Sequence, residues 1–167
     1  MKGFILYPTY RIINGKPHVL LFGKLENGQS FLTVNSFRPY FYIEESDLNA
    51  LPKEYDYART DYKNFSDKKL AKVFTGLPQD VPKIRRYLEE KGVECYEADI
   101  RFAYRFLIDN NIKSAIEIKD EDYEQNEYVD RVYNEPTITP AQFKPNLKIF
   151  SVDIETSTDG KKLYSIS

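Results

Sequence analysis

Apolar runs alternate with turn signals along the first 45 positions of the chain. The runs cover residues 4–13, 19–25, 31–34 and 40–43, and Asn14-Gly15 separates the first two. Asn-Gly between such runs is typical of a type I′ hairpin, because both central residues of that turn need a positive φ. The pattern therefore predicts an antiparallel sheet built from β-hairpins.

The middle of the chain has the spacing of two amphipathic helices. Asp80 is expected to cap a helix that has Pro82 in its first turn and ends at Gly92, and a second helix is predicted over residues 102–109. Short strands precede each helix, the second of them over residues 93–96. This βαβα order resembles a ferredoxin-like or RNA-recognition-like unit, and the fold class is α+β.

Three other segments have weaker patterns. Residues 47–51 and 67–72 are compatible with short helices. Residues 119–147 begin with an acidic tract and continue with three prolines, so we interpret them as a linker. A change in composition near residue 147 then predicts a domain boundary.

Two carboxylates follow an apolar run close to the end of the sequence. The run covers residues 148–152 and leads into Asp153 and Glu155. Side chains alternate between the faces of a strand, so we expect both carboxylates on one face, with Val152 and Ile154 pointing into the protein. Carboxylates are the ligands that Mg²⁺ or Mn²⁺ prefers, and paired metal ions can promote phosphodiester cleavage. The sequence predicts half of a metal site here.

Composition narrows the function classes. The 167 residues are 41% hydrophobic with a net charge of −2, which permits a folded core and disfavours coating of nucleic acid by bulk charge. Cys95 is the single cysteine, so we expect it to be structural in a reducing compartment, and His18 is the single histidine, without a recognisable catalytic partner. No apolar stretch is long enough to span a bilayer, and we expect a soluble cytoplasmic protein without membrane partners.

A cluster of lysines and aromatic residues lies in the polar segment after the fourth predicted strand. Its members are Tyr62, Lys63, Phe65, Lys68, Lys69 and Lys72. Such a cluster can follow a phosphate backbone and stack on bases, but a lysine-rich stretch is more often a solvated face. The sequence leaves both interpretations open.

Five strings occur in an order that identifies a family resemblance. They are Phe37-Arg-Pro-Tyr40, Pro78-Gln-Asp-Val-Pro82, Tyr96-Glu-Ala-Asp-Ile100, Phe102-Ala-Tyr-Arg105-Phe-Leu-Ile108 and Phe150-Ser-Val-Asp-Ile-Glu-Thr156. Together they resemble the N-terminal part of family B DNA polymerases, in particular the archaeal replicative enzymes and bacterial DNA polymerase II. The resemblance covers essentially the whole chain.

The resemblance implies a division into two parts. Residues 1–147 would be the polymerase N-terminal domain, and residues 148–167 the first strand of a ribonuclease H-like 3′-5′ exonuclease domain. Asp153 and Glu155 would be catalytic, metal-binding residues of proofreading that use Mg²⁺ or Mn²⁺. The other exonuclease motifs and the palm aspartates are absent, so we expect this piece alone to be inactive. The implied partners are single-stranded template DNA near the nucleoid, the rest of the polymerase chain and, through other regions, a sliding clamp.

The resemblance to the archaeal enzymes also implies a pocket that captures template uracil. The matching positions are Tyr7, Pro39, Tyr40, Val81, Pro82, Ile100, Phe102 and Arg105. Arg105 would brace the pocket or contact a phosphate, although a salt-bridged arginine is the commoner case on a helix. Arg101 stands where the archaeal enzymes usually have proline and is more like bacterial DNA polymerase II, which is not expected to read uracil. The apolar positions are also compatible with an ordinary core.

Two alternatives of a different class remain at this point. The chain could be a stand-alone nucleic-acid-binding module, for which binding would not depend on Mg²⁺. It could also be a purely structural scaffold that braces the catalytic domains, for which no binding would be detected at low salt.

Overall fold

A computed structural model describes residues 1–166, which form two larger β-sheets, each with one α-helix packed on it, and a separate two-stranded hairpin. Ser167, the last residue of the predicted segment 148–167, lies outside the described residues. No helix in the described part of the chain is long and apolar enough to cross a membrane. The α+β class is confirmed.

The first sheet has six strands in the order β10-β8-β1-β2-β3-β9. In chain order these strands are β1 (Lys2–Ile13), β2 (Lys16–Leu25), β3 (Ser30–Ser36), β8 (Ala115–Ile118), β9 (Arg131–Asn134) and β10 (Ile138–Ala141). All neighbours are antiparallel except β3 and β9. Asn14 and Gly15 have φ angles of 50° and 75° between β1 and β2, which confirms the predicted hairpin.

Helix α2 (Phe102–Asp109) covers the inner face of this sheet. Phe102 and Phe106 are one helical turn apart and are both buried in the same core as Phe31 of β3. The helix ends where Asn111 adopts a φ of 54°, and the Ile112 N–H donates to the carbonyl of Leu107 at 2.8 Å. This left-handed end satisfies a carbonyl of the last turn.

The second sheet has four antiparallel strands in the order β5-β6-β4-β7. Their ranges are β4 (Tyr40–Glu44), β5 (Tyr57–Lys63), β6 (Lys69–Phe74) and β7 (Cys95–Tyr96). Helix α1 (Val81–Glu89) packs on it through Ile84 and Leu88, as the spacing predicts. Gly92 follows the helix with a φ of 79°. Asp80 occupies the N-cap position, as predicted, but its side chain makes no capping hydrogen bond and instead pairs with Lys83 at 3.0 Å.

Three segments differ from the expectations. Residues 45–50 form a 3-10 helix, whereas the predicted helix over 67–72 is wrong because β6 pairs there with β4 along its length. The stretch interpreted as a linker contains β9 and β10, and Tyr133 of β9 is fully buried. The acidic and proline-rich composition of this segment does not indicate strands. Their pairing partners, β3 and β8, lie outside the segment.

The ferredoxin-like unit is not confirmed. Strand β4 lies between β6 and β7, and the segment that contains α1 connects β6 with β7 on one face of the sheet. In a ferredoxin-like unit α2 would accompany α1, but its apolar side belongs to the core of the first sheet. Phe37 joins the two halves, since its ring lies 5.4 Å from Phe102 and 6.2 Å from Tyr40.

The carboxyl-terminal segment forms a separate hairpin of β11 (Ile154–Thr156) and β12 (Leu163–Ile166). The strand predicted to run from residue 148 through Asp153 and Glu155 is present only as β11, and Val152 and Ile154 are 51% and 55% exposed. The prediction that these two side chains point into the protein is therefore wrong. Within residues 1–166 no core covers them, because β11 and β12 pair only with each other.

Candidate functional site

One cavity of about 620 Å³ brings together all of the residues predicted for the uracil pocket. They are Tyr7, Pro39, Tyr40, Val81, Pro82, Ile100, Phe102 and Arg105. Four separate segments of the chain supply them, so their convergence is a property of the fold and not of local sequence.

Each segment enters the cavity at an irregular point or at the end of an element. Tyr7 follows a register shift in β1 between Ile5 and Tyr7, which re-aims the strand. Pro39 immediately precedes β4, and Val81 is the first residue of α1. Ile100 lies in the loop that leads to α2. Helix starts and strand ends therefore surround the cavity.

Aromatic rings form much of the cavity wall. Phe102 is buried and contacts Tyr10 edge to face, with ring centroids 5.4 Å apart. Tyr40 is also buried, whereas Tyr7 is exposed. A wall that combines buried rings with exposed ones suits a flat, partly apolar ligand.

Arg105 lies behind this wall and is only 5% exposed. Its Nη2 donates to Oε2 of Glu97 at 2.5 Å, its Nη1 lies 3.8 Å from Oδ1 of Asp109, and its guanidinium stacks 5.0 Å from the Tyr40 ring centroid. Burial alone lowers the pKa of Arg105, but the hydrogen bond to Glu97 and the nearby carboxylates raise it, so the charge is kept. This environment favours the bracing role over a phosphate contact.

Tyr40 also helps to hold Arg105 and Asp109 in place. Its hydroxyl donates to Asp109, with both carboxylate oxygens at 2.7 Å. Burial, and then this hydrogen bond, raise the pKa of the Tyr40 phenol far above its usual range. The ring also accepts the Lys72 ammonium at 3.9 Å from its centroid. Tyr40 therefore stays a neutral donor that fixes one wall of the cavity.

Sequence reasoning missed the two carboxylates that hold Arg105. Asp109 is four residues after Arg105 on the same helix, and this spacing could have revealed it. Glu97 could not be found in this way, because it lies in the loop after β7 with a φ of 59°. Tyr10 was also missed as a lining residue.

Arg101 lies at the edge of the same cavity and is exposed. Its carbonyl accepts the N–H of Arg105 at 2.9 Å, which starts the hydrogen-bond ladder of α2. Its φ of −59° is one that proline also adopts. The backbone angle at this point is therefore compatible with the proline that the resemblance to archaeal enzymes leads one to expect, although the residue present is arginine.

Asp153 and Glu155 have a different environment from the cavity residues, because both are exposed in the terminal segment. Oδ1 of Asp153 accepts the Ile154 N–H at 2.9 Å, and Glu155 pairs across the hairpin with Ser165. Among residues 1–166, no three His, Cys, Asp or Glu side chains are grouped to hold a metal ion. Two carboxylates alone do not complete a Mg²⁺ site, which normally needs six oxygen ligands.

Several of the other candidates make local structural contacts. Two of the clustered lysines are paired, Lys63 with Asp67 at 2.8 Å and Lys68 with Glu44 at 2.9 Å. Burial raises the pKa of the Cys95 thiol to about 11, which fits a packing role. The ring Nδ1 of His18 donates to the backbone carbonyl of Lys16 at 3.0 Å.

Comparison with known proteins points to one family. The model of the "DNA polymerase family B, exonuclease domain" matches residues 93–166. A DNA polymerase of Archaeoglobus fulgidus is 33% identical over 67% of this chain, and one of Thermococcus sp. (strain 9oN-7) is 36% identical over 65%. The chain covers 16% of each of these relatives.

A solved structure agrees with the sequence matches. The family B DNA polymerase from Pyrobaculum calidifontis superimposes with a TM-score of 0.70 and 27% identity, over 93% of this chain and 22% of that chain. The relatives are thus DNA polymerases. The chain belongs to family B of these enzymes and corresponds to their N-terminal and exonuclease region.

Proposed function

We propose that the chain binds single-stranded template DNA of a DNA-directed DNA polymerase and that the 620 Å³ cavity captures uracil in that strand. The observation that carries the proposal is the convergence of eight residues from four segments on one cavity. The family relationship supplies the substrate class, since its members named above are DNA polymerases.

The chemistry of the cavity suits a pyrimidine that is turned out of the strand. Its volume lies within the roughly 300–1,000 Å³ that is usual for small-molecule sites. Buried rings such as Phe102 offer stacking surface, and a tight apolar wall would reject the C5 methyl group of thymine. One methyl group in such a pocket changes affinity by about 10- to 200-fold.

Arg105 acts as a positioning residue in this proposal. Its ion pairs with Glu97 and Asp109 and its contact with Tyr40 fix α2 relative to β4, which carry opposite walls of the cavity. A fixed wall is what discrimination by a single methyl group requires, because a yielding wall would admit thymine as well.

Binding of matched oligonucleotides tests the proposal. Two single-stranded DNAs that differ by one uracil for thymine are titrated with the chain, and fluorescence anisotropy reports the ratio of their dissociation constants. We expect at least about tenfold tighter binding of uracil. Tyr7→Ala, on the exposed rim, should reduce this ratio, whereas Tyr57→Ala, at an exposed tyrosine that does not line the cavity, should not.

Equal binding of the two DNAs would overturn uracil capture and leave general template binding. Absence of binding to either DNA at low salt would favour the scaffold alternative. Mg²⁺ should not alter the ratio, because no metal ligand set lies at the cavity.

We also propose that the terminal carboxylates belong to an exonuclease centre of the longer enzyme. Asp153 and Glu155 fall within the match to the exonuclease domain, and they would contribute two ligands to Mg²⁺ or Mn²⁺ once other parts of the enzyme supply the rest. The remaining polymerase chain and a sliding clamp would be partners of that enzyme. Because the metal site is incomplete in residues 1–166, we expect this chain to show neither exonuclease nor polymerase activity by itself.

A further inference from the structure

A second cavity of about 550 Å³ opens on the face of the four-stranded sheet opposite α1. Its aromatic walls are Tyr42, Tyr62, Phe65 and Tyr96. The ring centroids of Tyr42 and Tyr62 are 6.0 Å apart, edge to face. Aromatic side chains from three strands and the β5–β6 turn thus converge on a site distinct from the first cavity.

Two of these rings are presented to solvent by an ordered turn. Tyr62 is 62% exposed, and the side chain of Phe65 is fully exposed. Oδ1 of Asn64 accepts the N–H groups of Ser66 and Lys68 at 2.9 and 3.0 Å, and Asp67 has a φ of 66°. The turn is therefore built by its own hydrogen bonds, and burial of Phe65 contributes nothing to it.

The charges around the cavity indicate what it can take. Its two carboxylates, Glu97 and Asp109, are already paired with Arg105, so the cavity does not call for a cation. Lys72 is not part of the lining, but its ammonium lies 3.9 Å from the Tyr40 ring centroid and 5.8 Å from that of Tyr42, and it has no carboxylate partner among residues 1–166. A flat neutral group carried on an anionic chain fits rings beside an uncompensated ammonium.

We propose that this cavity is a second base site, where a nucleobase of single-stranded DNA stacks on Tyr62 and Phe65. The inference rests on the proposed function, which places single-stranded DNA on this chain. Arg105 lines both cavities, so the two sites lie on either side of one guanidinium and can hold bases of the same strand. Base stacking on aromatic rings is tolerant of sequence, so this site would add affinity without reading uracil.

A single tryptophan reports on the site directly. The chain has no tryptophan, so Phe65→Trp introduces the only indole at a position where no packing is disturbed. We expect quenching of its fluorescence by an oligothymidylate and much weaker quenching by an abasic strand of equal length. Tyr128→Trp, at an 82% exposed residue that does not line the cavity, is the matched control and should show no base-dependent quenching.

Affinity measurements separate this inference from the proposed function. Removing both rings by Tyr62→Ala and Phe65→Ala should weaken binding of uracil- and thymine-containing DNA alike by at least about fivefold, and leave their ratio unchanged. If uracil preference is absent but this loss is seen, the second site stands and the first fails. If the preference is present but neither the loss nor the quenching is seen, the second site is overturned.

Two further outcomes also decide the question. Equal quenching by the abasic strand would overturn base stacking in favour of a phosphate contact. Tighter binding of an RNA of the same sequence would overturn DNA as the ligand.

Discussion

Arg105 lines both cavities and connects the two sheets, because it belongs to the helix that packs on the first sheet and contacts Tyr40 of the second. It is buried, charged and paired with two carboxylates, of which Glu97 is about half exposed and Asp109 about a quarter. Its Nε has no hydrogen-bond partner within the described residues. An unsatisfied buried donor is costly, and it marks a side chain that is retained for placement more than for stability.

Replacement of Arg105 by alanine should destabilise the chain by about 2–3 kcal/mol. Removing one partner of a fully buried pair costs about 3–5 kcal/mol, and the partial exposure of Glu97 and Asp109 reduces that figure. Urea unfolding followed by circular dichroism gives the free energy of unfolding. Arg85→Ala is the control, because its pair with Glu89 is exposed on α1 and contributes only about 0.3–0.5 kcal/mol. A loss for Arg105→Ala no larger than for Arg85→Ala would contradict the bracing role.

At the scale of single residues, the sequence predicts which residues line the cavity better than it predicts how each side chain is buried and paired. The eight cavity positions were predicted from the family resemblance of the sequence strings. The burial of Arg105 did not, since its pairing with Glu97 depends on a loop with a left-handed backbone. Helical spacing points to the pair with Asp109 but does not show that α2 is buried on the side of Arg105.

The hairpin of β1 and β2 depends on a close approach between a ring and two strands. Gly3 and Gly23 lie under the buried ring of Phe31, and a Cβ at Gly23 would meet Cε1 of that ring at 2.5 Å as well as the carbonyl oxygen of Phe4. Both contacts are with fixed parts of the sheet. Glycine is therefore required here by space, and not by its backbone angles.

Gly23→Ala should lower the free energy of unfolding by about 3 kcal/mol, because overpacking against backbone cannot relax by a change of rotamer. Gly76→Ala is the matched control. No heavy atom lies within 4 Å of a Cβ at Gly76, so we expect no loss there, or a gain of up to about 1 kcal/mol from a less flexible unfolded chain. Thermal unfolding of both variants gives the comparison. Similar stabilities would show that β2 shifts to accommodate the methyl group.

Elements with local signals were predictable, and those with distant partners were not. The turn at Asn14-Gly15 and the helices α1 and α2 have their determinants within a few residues. Strand β9 pairs in parallel with β3, about 100 residues earlier, and nothing in its own acidic surroundings indicates this. The backbone N–H and the hydroxyl of Ser30 both donate to Oδ2 of Asp130 at 2.6 Å. Because Asp130 comes just before β9, these contacts fix the register of β9 against β3 from outside the strand.

For the molecule as a whole, the two sheets and the terminal hairpin differ in how they are held. The sheets share a packed centre through Phe37, whereas residues 148–166 are exposed almost throughout and pair only among themselves. Apolar side chains such as Ile149 and Phe150 are exposed there. The stability of the sheets should therefore be independent of this segment, and the domain boundary near residue 147 stays a prediction that truncation can test.

A variant that ends at Leu147 should unfold at the same temperature as the full chain, within about 2 °C. Since about 1 kcal/mol corresponds to a shift of 2–4 °C at this size, such a result would mean that residues 148–167 contribute less than that to the sheets. Calorimetry at equal protein concentration measures both transitions. A variant that ends at Asp130 is the contrasting case: it lacks β9 and β10, loses the buried Tyr133 and should unfold at a much lower temperature or without a cooperative transition. If the chain ending at Leu147 unfolded more than about 5 °C below the full chain, the terminal hairpin would have to pack on the sheets in solution, and the boundary would have to be moved.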